Sequence, residues 1–80
     1  MHEARLCCSL LRLAEEALGR EGGGRIVALE LEVGALSGVA PEALDAAFPV
    51  CARGTPAEGA ALRLRAVPGR DLVLRRLEVV

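Results

Sequence analysis

The sequence predicts an α+β fold in which two helices pack on one face of a three-stranded sheet. Two segments repeat apolar residues every three or four positions, as amphipathic helices do. Three others alternate apolar and polar residues, which is typical of strands with one buried face. They follow one another as helix, strand, helix, strand, strand. The 80 residues suffice for one domain, which we expect to span residues 1–80.

The first helix is predicted over residues 3–19 and the first strand over residues 25–33. Gly19 and the run 22–24 should end the helix. The strand places Val27, Leu29, Leu31 and Val33 on one face, with Ala28, Glu30 and Glu32 on the other. The helix should present an apolar stripe made of Leu6, Leu10, Leu13, Ala14, Ala17 and Leu18.

The second helix is predicted from Pro41, which suits a first helical turn, to about Arg53. Pro49 lies within it and removes a backbone donor, so we expect a kink or an early end there. The apolar face of this helix comprises Leu44, Ala47, Phe48 and Cys51.

The last two strands are predicted over residues 62–67 and 72–80. The turn signal Pro68-Gly69-Arg70-Asp71 lies between them and predicts a C-terminal antiparallel β-hairpin. The apolar phase of the final strand changes near Arg75 and Arg76, which predicts a β-bulge. On the polar face of the sheet, we expect arginines to lie opposite glutamates: Arg63 and Arg65 against Glu30 and Glu32.

Composition argues against several classes of function. Phe48 is the single aromatic residue and the net charge is −1, so neither stacking platforms nor a basic field for nucleic acid is present. No apolar run approaches the roughly 20 residues of a membrane span, and charged residues interrupt the start. We therefore expect a cytoplasmic protein with no nucleic-acid or membrane partner.

The chain has three cysteines, Cys7, Cys8 and Cys51, and no Cys-x-x-Cys pair. Cys7 and Cys8 point about 100° apart on a helix, which predicts one half-buried thiol and one near the surface. Cys51 is predicted to be a small core residue. Catalytic Cys–His chemistry would need His2 beside these thiols and an orienting group, so we predict that the chain is not an enzyme and has no catalytic residues.

The candidate chemistry lies at the amino terminus, Met1-His2-Glu3. The α-amine of Met1, the backbone nitrogen of His2 and its imidazole can close fused chelate rings around one ion. The backbone nitrogen or carboxylate of Glu3, or a partner, can supply the fourth ligand. A nitrogen-rich, square-planar set suits Ni(II) or Cu(II). The competing interpretation is a solvated terminus without function, and a tripeptide alone does not exclude it.

Several motifs resemble a known family when they are taken in order. The chain begins Met1-His2-Glu3, residues 33–39 read Val-Gly-Ala-Leu-Ser-Gly-Val, and residues 41–44 read Pro-Glu-Ala-Leu. Gly54-Thr55 and residues 57–60, Ala-Glu-Gly-Ala, precede the second strand, while residues 69–72 and Leu77-Glu78-Val79 mark the last one. The whole chain resembles the HypA/HybF family of nickel metallochaperones.

This resemblance implies that nickel is bound through His2, with Met1 and Glu3 contributing the terminal amine and backbone nitrogens. It implies delivery of Ni(II) to the large subunit of [NiFe]-hydrogenase, and sometimes to urease, together with a nickel-delivering GTPase. It also implies that the first helix contributes to the partner contact.

One departure from the family is large. The family carries a zinc-binding segment with two Cys-x-x-Cys pairs before its last strand, whereas Val67 here runs through Pro68-Gly69 directly into Arg70-Asp71-Leu72. We therefore expect no zinc site. Two alternatives stay open: a metal-independent protein-interaction module or decayed paralogue of the same fold, and a thiol redox protein that uses Cys7 and Cys8.

Overall fold

A computed structural model describes residues 2–80, except for the side chain of His2. The elements follow the predicted α-β-α-β-β order. They are α1 (His2–Arg20), β1 (Ile26–Gly34), α2 (Pro41–Cys51), β2 (Ala61–Val67) and β3 (Leu72–Val79). Neither helix of this described part has both the length and the apolar character that a membrane crossing requires.

The three strands form one sheet in the order β2-β1-β3, with β1 parallel to β2 and antiparallel to β3. The predicted C-terminal hairpin is therefore wrong, because β2 and β3 lie on opposite sides of β1. Helix α2 returns the chain so that β2 can run parallel to β1, as such crossovers commonly do. The turn at residues 68–71 then spans the end of β1 instead of closing a tight hairpin.

The connection at residues 68–71 crosses directly over Gly34 at the end of β1. The backbone N–H of Gly34 donates to the Asp71 carbonyl at 2.8 Å, and that of Leu36 donates to the Gly69 carbonyl at 2.7 Å. A Cβ on Gly34 would lie 2.5 Å from the Gly69 oxygen and 2.8 Å from the Asp71 oxygen. Only glycine fits this crossing without a backbone shift.

Strand β1 changes phase near its start. Ile26 pairs with Val79 and Ala28 pairs with Glu78, which leaves Val27 as an extra residue in a β-bulge. Val27 is 43% exposed, while Ile26 is buried at 1%. The expectation that Val27 shares the buried face is therefore wrong, because the bulge gives that position to Ile26.

The bulge predicted in the last strand is confirmed. Glu30 pairs with Arg76 and Leu31 pairs with Leu74, so Arg75 is the extra residue of β3. The bulge returns Leu72, Leu74 and Leu77 to partly buried positions against the core although their spacing is uneven.

Helix α1 packs with a face slightly rotated from the predicted one. Leu13 is 53% exposed, whereas Cys7 and Leu11 are buried, so Leu13 was wrongly assigned to the apolar stripe. The helix runs through Gly19 to Arg20, one residue past the expected end, and the glycine run then ends it: the N–H of Gly23 bonds to the Leu18 carbonyl, and Gly22 has φ +96°. The buried cluster beneath both helices comprises Cys7, Leu10, Leu11, Ala14, Leu18, Ile26, Leu29, Leu31, Leu44, Phe48, Ala52 and Ala57.

Helix α2 begins at Pro41 as predicted and ends at Cys51, two residues short of the expected end. Pro49 lies in the last turn. The N–H of Ala52 still bonds to the Phe48 carbonyl at 2.9 Å. The helix therefore ends soon after the proline, as its missing backbone donor predicts.

The outer face of the sheet, opposite the helices, carries the predicted charges. Glu30 lies opposite Arg63 and Glu32 lies opposite Arg65 in the parallel register. The ion pairs, however, form with the third strand. Arg63 pairs with Glu78, and Arg75 pairs with Glu32 at 2.9 Å. Ala28 lies opposite Glu78 and is small, so Arg63 can reach across β1 to Glu78. The bulge at Arg75 brings the side chain of that residue to Glu32.

Candidate metal-binding terminus

The predicted nickel ligands lie at the start of α1. The helix begins at His2, while Met1 and the His2 side chain lie outside the described residues. Glu3 is half-buried in the first turn, where an acidic residue interacts favourably with the positive end of the helix dipole. Of the three predicted site residues, the structure thus describes Glu3 in full and only the backbone of His2.

The first turn of a helix leaves its backbone N–H groups without intrahelical partners, since each such bond needs a carbonyl four residues earlier. The nitrogens of His2 and Glu3 belong to this set. They are therefore not engaged in the bonds that hold α1 together. The helix can keep its later turns while its first nitrogens bind another group.

Two thiol contacts join the start of α1 to α2. The Cys51 thiol points its S–H at the Ala4 carbonyl, with sulfur and oxygen 3.8 Å apart. The Cys7 thiol approaches the Leu44 carbonyl at 3.7 Å. Sulfur donors are weak, but both contacts lie within the first two turns of α1. They add to the packing of the first two turns of α1 against α2.

The three cysteines occupy three different environments. Cys7 is buried, Cys8 is exposed and Cys51 is half-buried. The prediction that Cys7 and Cys8 divide between interior and surface is confirmed, although Cys7 is more deeply buried than expected. Cys51 packs against the core cluster, as its place on the apolar face of α2 predicted.

Sequence reasoning missed that the Cys51 thiol lies near those of Cys7 and Cys8. Burial raises the pKa of Cys7 to about 11, and the adjacent Cys51 thiol adds to the rise. Burial also raises the pKa of Cys51, and the Cys8 thiol next to it contributes. Because the thiolate is the reactive form, raised pKa values argue against redox chemistry at Cys7 or Cys51. The sequence signal for this proximity was the helical spacing, which turns the cysteine positions toward the contact between α1 and α2.

Apart from the terminus, the described residues contain no group of three or more histidine, cysteine, aspartate or glutamate side chains arranged to hold a metal ion. The thiol cluster is included in that statement. The candidate metal site is the amino-terminal tripeptide that the sequence predicted.

Comparison with known proteins decides the family. The profile of HypA, described as a hydrogenase/urease nickel incorporation metallochaperone, matches residues 1–72. The chain belongs to the HypA family. The matched range includes Met1-His2-Glu3 and ends at Leu72, the first residue of β3. The family description names a metallochaperone, which agrees with the prediction that the chain is not an enzyme.

Individual HypA relatives are similar over most of the chain. Hydrogenase maturation factor HypA of Deinococcus radiodurans is 49% identical over 69 residues, which cover 86% of this chain and 58% of that protein. The Paracoccus denitrificans factor is 43% identical over 72 residues, covering 90% and 64%. The Dechloromonas aromatica factor is 40% identical over 80 residues, covering 100% and 71%.

The chain spans about three fifths of the length of the first relatives it matches. The resemblance to the HypA family that the motifs indicated is confirmed by these matches.

Proposed function

We propose that residues 1–80 form one nickel-binding domain of a cytoplasmic metallochaperone, which binds Ni(II) at its amino terminus and assists nickel insertion into [NiFe]-hydrogenase or urease. The observation that carries the proposal is the HypA family match over residues 1–72, which includes the chelating tripeptide. His2 is the main ligand, and Met1 and Glu3 supply the terminal amine and a backbone nitrogen. No zinc site takes part. The partners are the hydrogenase large subunit and a nickel-delivering GTPase.

The backbone at the start of α1 supports this ligand set. Nitrogens of the first turn have no intrahelical partner, so metal binding there does not compete with the helix. The positive end of the helix dipole opposes a divalent cation. Loss of amide protons on binding and the carboxylate of Glu3 both offset that repulsion. The resulting affinity should be moderate, which suits an ion that must be handed on.

The proposal predicts nickel binding that depends on His2 and on a free amino terminus. Calorimetry with an untagged chain should give Ni(II) binding that weakens as pH falls, because protons compete for the amine, imidazole and amide nitrogens. His2→Ala or an added N-terminal tag should weaken nickel binding at least about tenfold. Loss of a residue that only supports a metal ligand already weakens metal binding by about tenfold or more, and loss of the ligand itself should weaken it at least as much. Cu(II) should compete well.

Cys8→Ser is the matched control, because Cys8 is exposed on the same helix and is not a predicted ligand. It should bind nickel as the unchanged chain does. If His2→Ala retains full affinity while Cys8→Ser loses it, the metal lies at the thiols and the proposed site is wrong.

The alternative is a protein-interaction module without a metal role. His2→Ala removes the principal ligand of the proposed site, so this variant distinguishes the two roles. Pull-down of the hydrogenase large subunit, with and without a chelator, separates the two. Binding by His2→Ala that a chelator does not change supports the module and contradicts the nickel-dependent role.

A further inference from the structure

The proposed nickel site does not involve the free edge of β2. Strand β2 pairs only with β1, so the backbone groups along its other side have no strand partner in the described part of the chain. It is seven residues long, Ala61–Val67. A partner segment in extended conformation can add to such an edge through main-chain hydrogen bonds, while its alternating side chains give specificity.

A cleft follows this edge on the helix-facing side of the sheet. Its walls are Leu62 and Leu64 of β2 and Pro41, Glu42 and Asp45 of α2, and its volume is about 270 Å³. The leucines are half-buried, so apolar surface is available. Neither Glu42 nor Asp45 forms an ion pair within the described residues. Side chains that enter this cleft should be apolar with a basic end, such as lysine.

The outer side of the same edge has the opposite charge. Arg63 and Arg65 alternate with the two leucines, and both arginines are exposed. Arg63 is bonded to Glu78, while Arg65 forms no ion pair within the described part of the chain. Acidic side chains on the outer side of an added strand would lie beside Arg65 and complement it.

We propose that the free edge of β2 binds an extended segment of another protein, in which acidic residues alternate with apolar and basic ones. Successive side chains of a strand point to opposite faces, so one such segment meets the acidic, apolar cleft and the arginine side together. A second copy of this chain fits poorly. Pairing of two β2 edges brings Arg63 and Arg65 of both copies together, and like charges on neighbouring strands repel.

The probe is a synthetic nine-residue peptide with glutamate at odd positions and leucine or lysine at even positions. Titration into isotope-labelled protein should shift the amide signals of β2 and slow amide exchange along its free edge. The same peptide with alternate backbone nitrogens methylated should lose binding, since it cannot form the strand hydrogen bonds. A charge-swapped peptide, with lysine at odd positions and leucine or glutamate at even ones, should bind at least about tenfold more weakly.

Variants connect the binding to the named charges. Arg65→Glu should weaken the first peptide at least about tenfold and strengthen the charge-swapped one. Arg12→Glu, at an arginine on α1 that is also exposed, should change neither. Equal binding of the methylated peptide, shifts confined to α1, or an Arg65→Glu variant with unchanged preference overturns the proposal. If sedimentation shows a dimer and Arg65→Glu changes its population, the edge binds a second copy of this chain and the proposal is overturned. Nickel binding through His2 is independent of every one of these outcomes.

Discussion

Gly34, at the end of β1, has a strict steric requirement. Its position under the crossing chain leaves no room for a methyl group, whereas Gly19 on α1 has no atom within 4 Å of where a Cβ would lie. The two glycines therefore differ in what they contribute. Gly34 permits close backbone approach, while Gly19 only lowers the stability of its helix.

Alanine at these two positions should have opposite effects. Gly34→Ala should lower the free energy of unfolding by about 2 to 3 kcal/mol, because backbone atoms must move to admit the methyl group. Gly19→Ala should raise it by about 0.5 to 1 kcal/mol. Urea denaturation followed by circular dichroism measures both. A Gly34→Ala variant as stable as the unchanged chain would show that the crossing is looser than the structure indicates.

The buried Cys7 thiol predicts a pH dependence of stability at alkaline pH. Its folded-state pKa of about 11 lies above the ordinary value of 9.0, so the unfolded chain loses this proton first. The contribution is fully present below pH 9 and is lost as pH rises toward 11. Denaturation at pH 8, 9.5 and 11 under reducing conditions should record the fall. Cys7→Ala should reduce it most, and Cys8→Ser should leave most of it, because burial is the largest cause of the Cys7 shift.

At the scale of the elements, sequence periodicity predicted the kind of each helix and strand and most of its bounds. Pro41 and the glycines after α1 gave correct helix ends because their effect is local. The phase of an element was harder to predict. Val27 and Leu13 look equivalent to their buried neighbours in the sequence, and only the bulge in β1 and the placement of α1 on the sheet distinguish them.

The bulge in β1 makes a direct prediction for two adjacent residues. Ile26→Ala should destabilise the chain by about 2 to 5 kcal/mol, because it leaves a cavity in the core. Val27→Ala, at an exposed position, should change stability by about 0.5 kcal/mol. Chemical denaturation of the two variants under identical conditions provides the comparison. If Val27→Ala destabilises the chain more than Ile26→Ala does, β1 has the uninterrupted alternation that the sequence suggested and no bulge.

At the scale of the whole molecule, strand pairing was the part that the sequence did not reveal. Pro68-Gly69-Arg70-Asp71 has the residues of a hairpin turn, and its local chemistry does not distinguish a turn from a crossing. The deciding contacts are long-range: the connection bonds to Gly34 and Leu36, more than 30 positions earlier. The candidate site was predicted from the tripeptide and the family motifs and stays a prediction, whereas the thiol contacts between α1 and α2 depend on tertiary packing, which the sequence does not show.

The sheet order predicts the pattern of hydrogen exchange. Strand β1 is bonded on both sides, while β2 and β3 are each bonded on one. Amides of β1 should therefore exchange most slowly among the strands, at a rate that reports global unfolding. Exchange measured residue by residue by NMR provides the test. Equal protection in β2 and β1 would contradict this order, unless a bound partner covers the edge of β2.

The crossing at residues 68–71 also bears on how the chain could be divided. Strand β3 reaches its place beside β1 only after the connection passes Gly34, so a fragment ending before Leu72 would leave that side of β1 open. The missing strand is a short, separable segment, and a synthetic peptide of residues 72–80 could fill the gap from outside. Such a pair of fragments would behave as a split protein, in which restored folding reports that the two pieces have met.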